Sequence, residues 1–109
     1  IGYHFIVHQS GKVDIGRDIE RSGAHTKGLN SRSIGICYVG GVDDKMKPKD
    51  TRTENQTDAL RYLVMDLLES YPGATLHGHN EFSNKACPSF NVYDDMADII
   101  EYYIDNEYE

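Results

Sequence analysis

Cysteine is scarce in this sequence, basic residues are outnumbered, and no long apolar run occurs. Each shortage removes a class of protein. Two cysteines cannot build the disulfide framework on which small secreted domains depend. A bridge between them is not expected either: Cys37 sits in an apolar run and reads as an inert buried thiol, whereas Cys87 lies in a polar loop. The 11 Lys and Arg against 18 Asp and Glu leave a net charge of -7. Such a surface is ill suited to tracking phosphates, so neither DNA nor RNA is an expected partner. No stretch is apolar enough to span a membrane. Internal repeats and low-complexity segments are missing too. The chain opens at Ile1-Gly2 straight into a strand-like run, with neither an initiator methionine nor a targeting segment, and the expectation is that something upstream has been cut off or left out.

What is present suits one domain, residues 1–109. With 39% hydrophobic and 27% charged residues, the composition is that of an ordinary globular protein with a single core and little to spare. Tyr3-His4-Phe5-Ile6-Val7 is rich in β-formers and Gly11-Lys12 is a turn signal before Val13-Asp14-Ile15, so residues 3–16 read as a hairpin. Residues 17–33 show no sustained period and form a long loop; carrying His25, Lys27 and Asn30 between two strands, it reads as functional. SIGICYV at 33–39 is apolar on both parities, which suits a strand covered on both faces. Gly40-Gly41 ends it, and 42–52 reads as an exposed, charged connector.

The second half is helical. Thr53 with Gln56 has the form of a capping box, and Leu60, Leu63, Val64, Leu67, Leu68 and Tyr71 recur at helical spacing up to Pro72-Gly73. A brief strand is expected over 74–77. Asn91 can cap a last helix with Met96, Ile99, Ile100, Tyr103 and Ile104 inside and Asp94, Asp95, Asp98, Glu101 and Asp105 outside. Strands followed by helix, strand and helix point to an α/β fold, a mixed sheet packed by helices.

Between the last two elements lies HGHNEFSNKACPSF, residues 77–90, with three side chains able to bind a metal, His77, His79 and Cys87, and a lysine, Lys85. Its Gly, Asn, Ser and Pro residues break any period, so it is loop, and loops on a rigid scaffold carry binding and catalytic groups. Imidazole and thiolate both suit zinc, but two ligands from one loop leave coordination positions to be filled from elsewhere. Taken singly, each residue has a plainer explanation. His79 and Cys87 could be a surface histidine and a buried thiol, Tyr3 a core aromatic, Lys85 a solvated lysine. His77 would point away from His79 if a strand continued through Gly78, and is not expected to be a ligand. His4 and His8 read as structural or exposed. Glu81 is tempting as a general base, yet no partner for it can be named from the sequence.

The motifs together say more. GYHFIV at 2–7, GxxxxGR at 11–17, GAHTKGLN at 23–30, SIGIC at 33–37 and HNEFSNKACPSF at 79–90 follow in an order that resembles the zinc-dependent N-acetylmuramoyl-L-alanine amidases. The likeness is strongest to the phage amidase-type lysozymes, relatives of the peptidoglycan recognition proteins. The resemblance covers nearly the whole chain, and its most specific part is the H-x7-C spacing with a lysine two residues before the cysteine. It implies that His79 and Cys87 are two of three protein zinc ligands and that Tyr3 and Lys85 assist at the scissile carbonyl. His25 and Asn30 would line the substrate groove. The family's remaining ligand is a histidine at the end of an earlier strand, and that strand and the helix after it lie ahead of where this sequence begins. If these residues were the entire polypeptide, poor stability, oligomerisation or strand exchange would be expected.

The implied activity is hydrolysis of the amide between N-acetylmuramic acid and the first L-alanine of the peptidoglycan stem peptide, with zinc as cofactor. The implied setting is a phage or prophage lysin made in the cytoplasm and acting on the cell wall. Two other readings stand beside it: a peptidoglycan-binding module without catalysis, against which the presence of Cys87 counts, and a fold relative whose acidic last helix meets a basic partner.

Overall fold

A computed structural model describes residues 2–24 and 33–105. Three short strands form the sheet: β1 (Phe5–Val7), β2 (Val13–Ile15) and β3 (Ile36–Tyr38), in the order β2-β1-β3. β1 and β2 are antiparallel, with Phe5 opposite Ile15 and Val7 opposite Val13. This is the expected hairpin. Gly11 closes it with φ +92°, a conformation that side chains resist. β1 and β3 run parallel, pairing Phe5 with Ile36, Ile6 with Cys37 and Val7 with Tyr38. The mixed sheet is therefore present, but β3 is shorter than the apolar run that encodes it, and its three residues are only half-buried.

Helix α1 (Glu54–Ser70) starts where the sequence says it should. The Thr53 hydroxyl accepts from the Gln56 amide at 3.0 Å while the Gln56 side chain accepts from the Thr53 amide at 3.0 Å. Two donors that the first turn would otherwise leave unpaired are thereby satisfied. The Gln56 side chain, 0% exposed, also donates to the carbonyls of Val7 and Val39. One side chain thus ties the start of α1 to the ends of β1 and β3. Leu60 and Val64 carry the helix into a core shared with Val7, Met96 and Ile99, with Ile36 and Tyr38 packed against it.

Three expectations need correction. Residues 74–77 form no strand; among the described residues no strand lies beside them to take up their backbone hydrogen bonds. The last helix is not continuous: α2 (Val92–Asp95), capped by Asn91, gives way at Met96 to α3 (Ala97–Ile100) and then to a π-helical turn over Glu101–Asp105. The Asp95 carbonyl there accepts from Arg61, and the Asp95 carboxylate is turned inward to Arg52 rather than outward to water. Nor is 42–52 a simple solvated connector. Val42 bridges to Pro48, and the Arg52 side chain is 7% exposed, paired with Asp50 and Asp95 and lying 3.6 Å above the Phe90 ring.

Two histidines find structural work. His4 is buried: its Nδ1 accepts from the Gly35 amide at 3.0 Å, which leaves Nε2 to donate to the Arg21 carbonyl at 2.7 Å. It thereby pins the loop after β2 to the strand entering β3. His8 bonds to Asp14 across the hairpin.

Candidate functional site

The loop over residues 77–90 is folded back on itself by its own polar groups. His79–Glu81 makes a single 3-10 turn. The Glu81 carboxylate accepts from the Gly78 amide and meets His77 Nδ1 at 3.2 Å. Glu81 therefore has a partner that the sequence could not name, and its job is to cap this turn. Gly78 is needed for packing: a Cβ there would stand 2.7 Å from Asn80 Oδ1 and 3.0 Å from Val92 Cγ2.

Asn80 joins the two halves of the loop. Its amide donates to the Cys87 carbonyl at 2.7 Å, and its side chain donates to the carbonyls of Ala86 and Phe90. The backbone beside His79 is thus bonded to the residue that carries the Cys87 thiol, although seven residues separate them in sequence. His77 is turned to Thr75, Glu81 and the rings of Phe82 and Tyr93.

Tyr3, His79 and Cys87 line one cavity of about 970 Å³, together with Cys37, Tyr38 and Phe90. Cys37, read as an inert buried thiol, is half-buried and faces this cavity. Burial raises its thiol pKa. The Tyr3 phenol is likewise pushed above its ordinary value, chiefly by burial and further by the Cys87 and Cys37 thiols. Tyr3 therefore keeps its proton through neutral pH. Lys85 is exposed on the same loop and stands outside the cavity lining. His25 and Asn30 fall outside the described residues.

One atom of a residue that lines this cavity is out of place for a merely structural loop. His79 Nδ1 is buried and has no hydrogen-bond partner among the described residues. Buried polar groups without a partner are rare in folded proteins because each forfeits its bonds to water. An imidazole nitrogen in this condition beside a free thiol is the donor set that zinc accepts. The pair is partial: among the described residues no three His, Cys, Asp or Glu side chains gather where a metal could bind.

Sequence reasoning missed Tyr38, whose hydroxyl donates to the Pro88 carbonyl at 2.6 Å across 50 residues of chain, and Arg52. Their partners are distant in sequence, and no local pattern marks either.

Fold and site define a class. The profile of the N-acetylmuramoyl-L-alanine amidase family matches residues 1–90, and the chain belongs to that family. Among its relatives are the endolysins of Escherichia phage T7, 49% identical over 92 residues, and of Klebsiella phage KP32, 47% identical over 92 residues. Each alignment takes in 84% of this chain and 61% of the relative, so the chain spans about three fifths of the phage proteins' length. In three dimensions the chain is similar to the endolysin N-acetylmuramoyl-L-alanine amidase LysCS from Clostridium intestinale. That likeness has a TM-score of 0.78 and 28% identity, covering 91% of this chain and 63% of the other. It also shares its fold with a human peptidoglycan recognition protein solved in complex with glycosamyl muramyl pentapeptide. There the TM-score is 0.70 at 23% identity, over 89% of this chain and 58% of that one. No helix among the described residues is long and apolar enough to cross a membrane.

Proposed function

We propose that this chain carries part of a zinc-dependent amidase that cuts peptidoglycan between the lactyl group of N-acetylmuramic acid and the first L-alanine of the stem peptide. The observation that carries the reading is the buried, unpartnered Nδ1 of His79, a residue that lines the same cavity as Cys87 and Tyr3. His79 and Cys87 would hold the metal, with the remaining protein ligand supplied from outside the described residues. Zinc, when bound, supplies the Lewis acidity that polarises an amide carbonyl and makes water a nucleophile near neutral pH.

The chain's own residues do the rest. Tyr3, a phenol protonated at neutral pH whose pKa burial raises further, donates a hydrogen bond to the carbonyl oxygen as negative charge gathers there. Lys85, exposed on the same loop as Cys87, would add an ammonium to the same oxyanion. Either group can pass a proton, directly or through water, to the departing alanine nitrogen. By the family resemblance, His25 and Asn30 would line the groove that receives the stem peptide. As a phage or prophage lysin the protein is made in the cytoplasm and acts on the wall.

Purified sacculi provide the test. Release of free alanine amino groups should stop with a chelator and with Cys87→Ser or His79→Ala. Hydrolysis that survives all three would remove the zinc reading, and retention on sacculi with no amino groups released would mark a binding module instead.

A further inference from the structure

Cys87 rides on a stretch without regular secondary structure and is exposed, a poor setting for a side chain that must meet a second ligand to within a fraction of an ångström. The next three residues are each gripped by a different residue of the stretch from Tyr38, the last residue of β3, to Arg52, just ahead of α1. Tyr38 donates its hydroxyl to the Pro88 carbonyl at 2.6 Å. Gly41 offers its carbonyl to the Ser89 hydroxyl at 2.8 Å. Arg52 lays its guanidinium 3.6 Å above the Phe90 ring, and Tyr38 meets the same ring with centroids 6.2 Å apart.

Ser89 shows that this grip opposes something. Its φ is +70°, in the left-handed region that a residue with a side chain enters only when its surroundings hold it there. Two bonds do so: its amide to the Ala86 carbonyl at 2.7 Å and its hydroxyl to Gly41. The gripping residues are themselves fixed. Arg52 is bonded to Asp50 and Asp95 at 2.8 to 2.9 Å, and the Gly41 amide donates to Thr51 Oγ1 at 2.7 Å.

We infer that residues 38–52 form a clamp on the turn carrying Cys87, with Tyr38 and Arg52 as positioning residues that aim the thiol at the cavity shared with His79. This rests on the reading of Cys87 as a zinc ligand. A ligand's supporting contacts govern metal affinity because they keep it in place before the metal arrives, and their loss typically weakens binding by about 10–100-fold.

The experiment uses Tyr38→Phe, which deletes one hydroxyl and keeps the ring against Phe90, and Arg52→Lys, which keeps the charge and loses the planar stack. Zinc affinity is measured by competition with a chromophoric chelator. Amide hydrogen exchange is followed across residues 86–90 in the metal-free protein, and the thermal midpoint is recorded beside both. Both variants should bind zinc about tenfold or more weakly and exchange the Ser89 amide faster, and Tyr38→Phe, which leaves the bonds of Arg52 to Asp50 and Asp95 in place, should do so with the thermal midpoint nearly unmoved. Affinity and exchange both unchanged would overturn the clamp, as would a loss of affinity seen only in step with a general loss of stability. If the unmodified protein takes up no zinc through Cys87, the amidase reading fails, and the clamp is then decided by the exchange rates alone.

Discussion

Replacing Gln56 by alanine tests how the scaffold under the site is held together. The side chain is 0% exposed and makes three hydrogen bonds: it accepts from the Thr53 amide at 3.0 Å and donates to the carbonyls of Val7 at 3.2 Å and Val39 at 2.9 Å. Alanine removes all three and leaves the Thr53 hydroxyl still capping the Gln56 amide, so only half of the capping box is lost. Each hydrogen bond contributes about 0.5–1.5 kcal/mol net, and a buried carbonyl left without a donor adds about 1–3 kcal/mol of uncompensated desolvation. The Val7 carbonyl bond is buried, whereas that to Val39 is partly open to water, so the full penalty applies once. The sum is a loss of about 2.5–7.5 kcal/mol, a large part of the ~5–15 kcal/mol by which a domain is usually stable. Urea denaturation with linear extrapolation measures it, and the slope should stay unchanged. A loss below about 0.5 kcal/mol, the range of an indifferent surface change, would refute the claim that Gln56 joins α1 to the sheet. Gln56→Glu sharpens the test. It keeps the acceptor for Thr53 but points a carboxylate oxygen at two carbonyls, which raises the folded-state pKa above the unfolded ~4.3. Its deficit against the parent should be small below that pH, where the acid is protonated in both states and can donate, and should grow as pH rises.

Other outcomes follow from the same geometry. Ile99→Ala, at a position 2% exposed in the core, should cost about 2–4 kcal/mol in denaturation, whereas Ile15→Ala, 75% exposed on β2, should stay within about 0.5 kcal/mol. The Arg52 side chain, through its hydrogen bond, lowers the pKa of Asp50. The stability this contributes is present above the unfolded carboxyl value near ~3.9 and disappears as pH falls through the lower folded value. Arg52→Met should therefore flatten the acid limb of the stability curve, and an unaltered limb would mean the pair does not matter. On the amidase reading, Tyr3→Phe should lower kcat by about 10²–10³ while zinc content holds; a loss of zinc instead would place Tyr3 in the metal's support.

Features encoded within a few residues were legible in the sequence. The capping box at Thr53 and Gln56 and the helical spacing from Leu60 onward gave α1 its position, and Gly11 between two β-rich runs gave the hairpin, because short stretches decide both. The strand expected over 74–77 failed because a strand exists only with a partner, and none stands beside it among the described residues. The break at Met96 was hidden for a related reason. No proline or glycine marks it; it falls directly after Asp95, whose carboxylate pairs with Arg52 and whose carbonyl accepts from Arg61, both distant in sequence.

The site divides along the same line. The spacing of His79 and Cys87 proposes a pair, and Asn80 ties the backbone beside the one to the other by bonding its own amide to the Cys87 carbonyl, an interaction within one loop and so within reach of a motif. What keeps that loop in register with the sheet is not local. Tyr38 lies in the apolar run of β3 and Arg52 in a charged connector, and in sequence each looks like its neighbours. Only the fold shows that one hydroxyl reaches Pro88 and one guanidinium covers Phe90. A motif can therefore name the atoms that would meet a metal while remaining silent on the contacts that set how tightly they hold it. Variants outside the motif, at 38 and 52, are where the two kinds of information come apart experimentally.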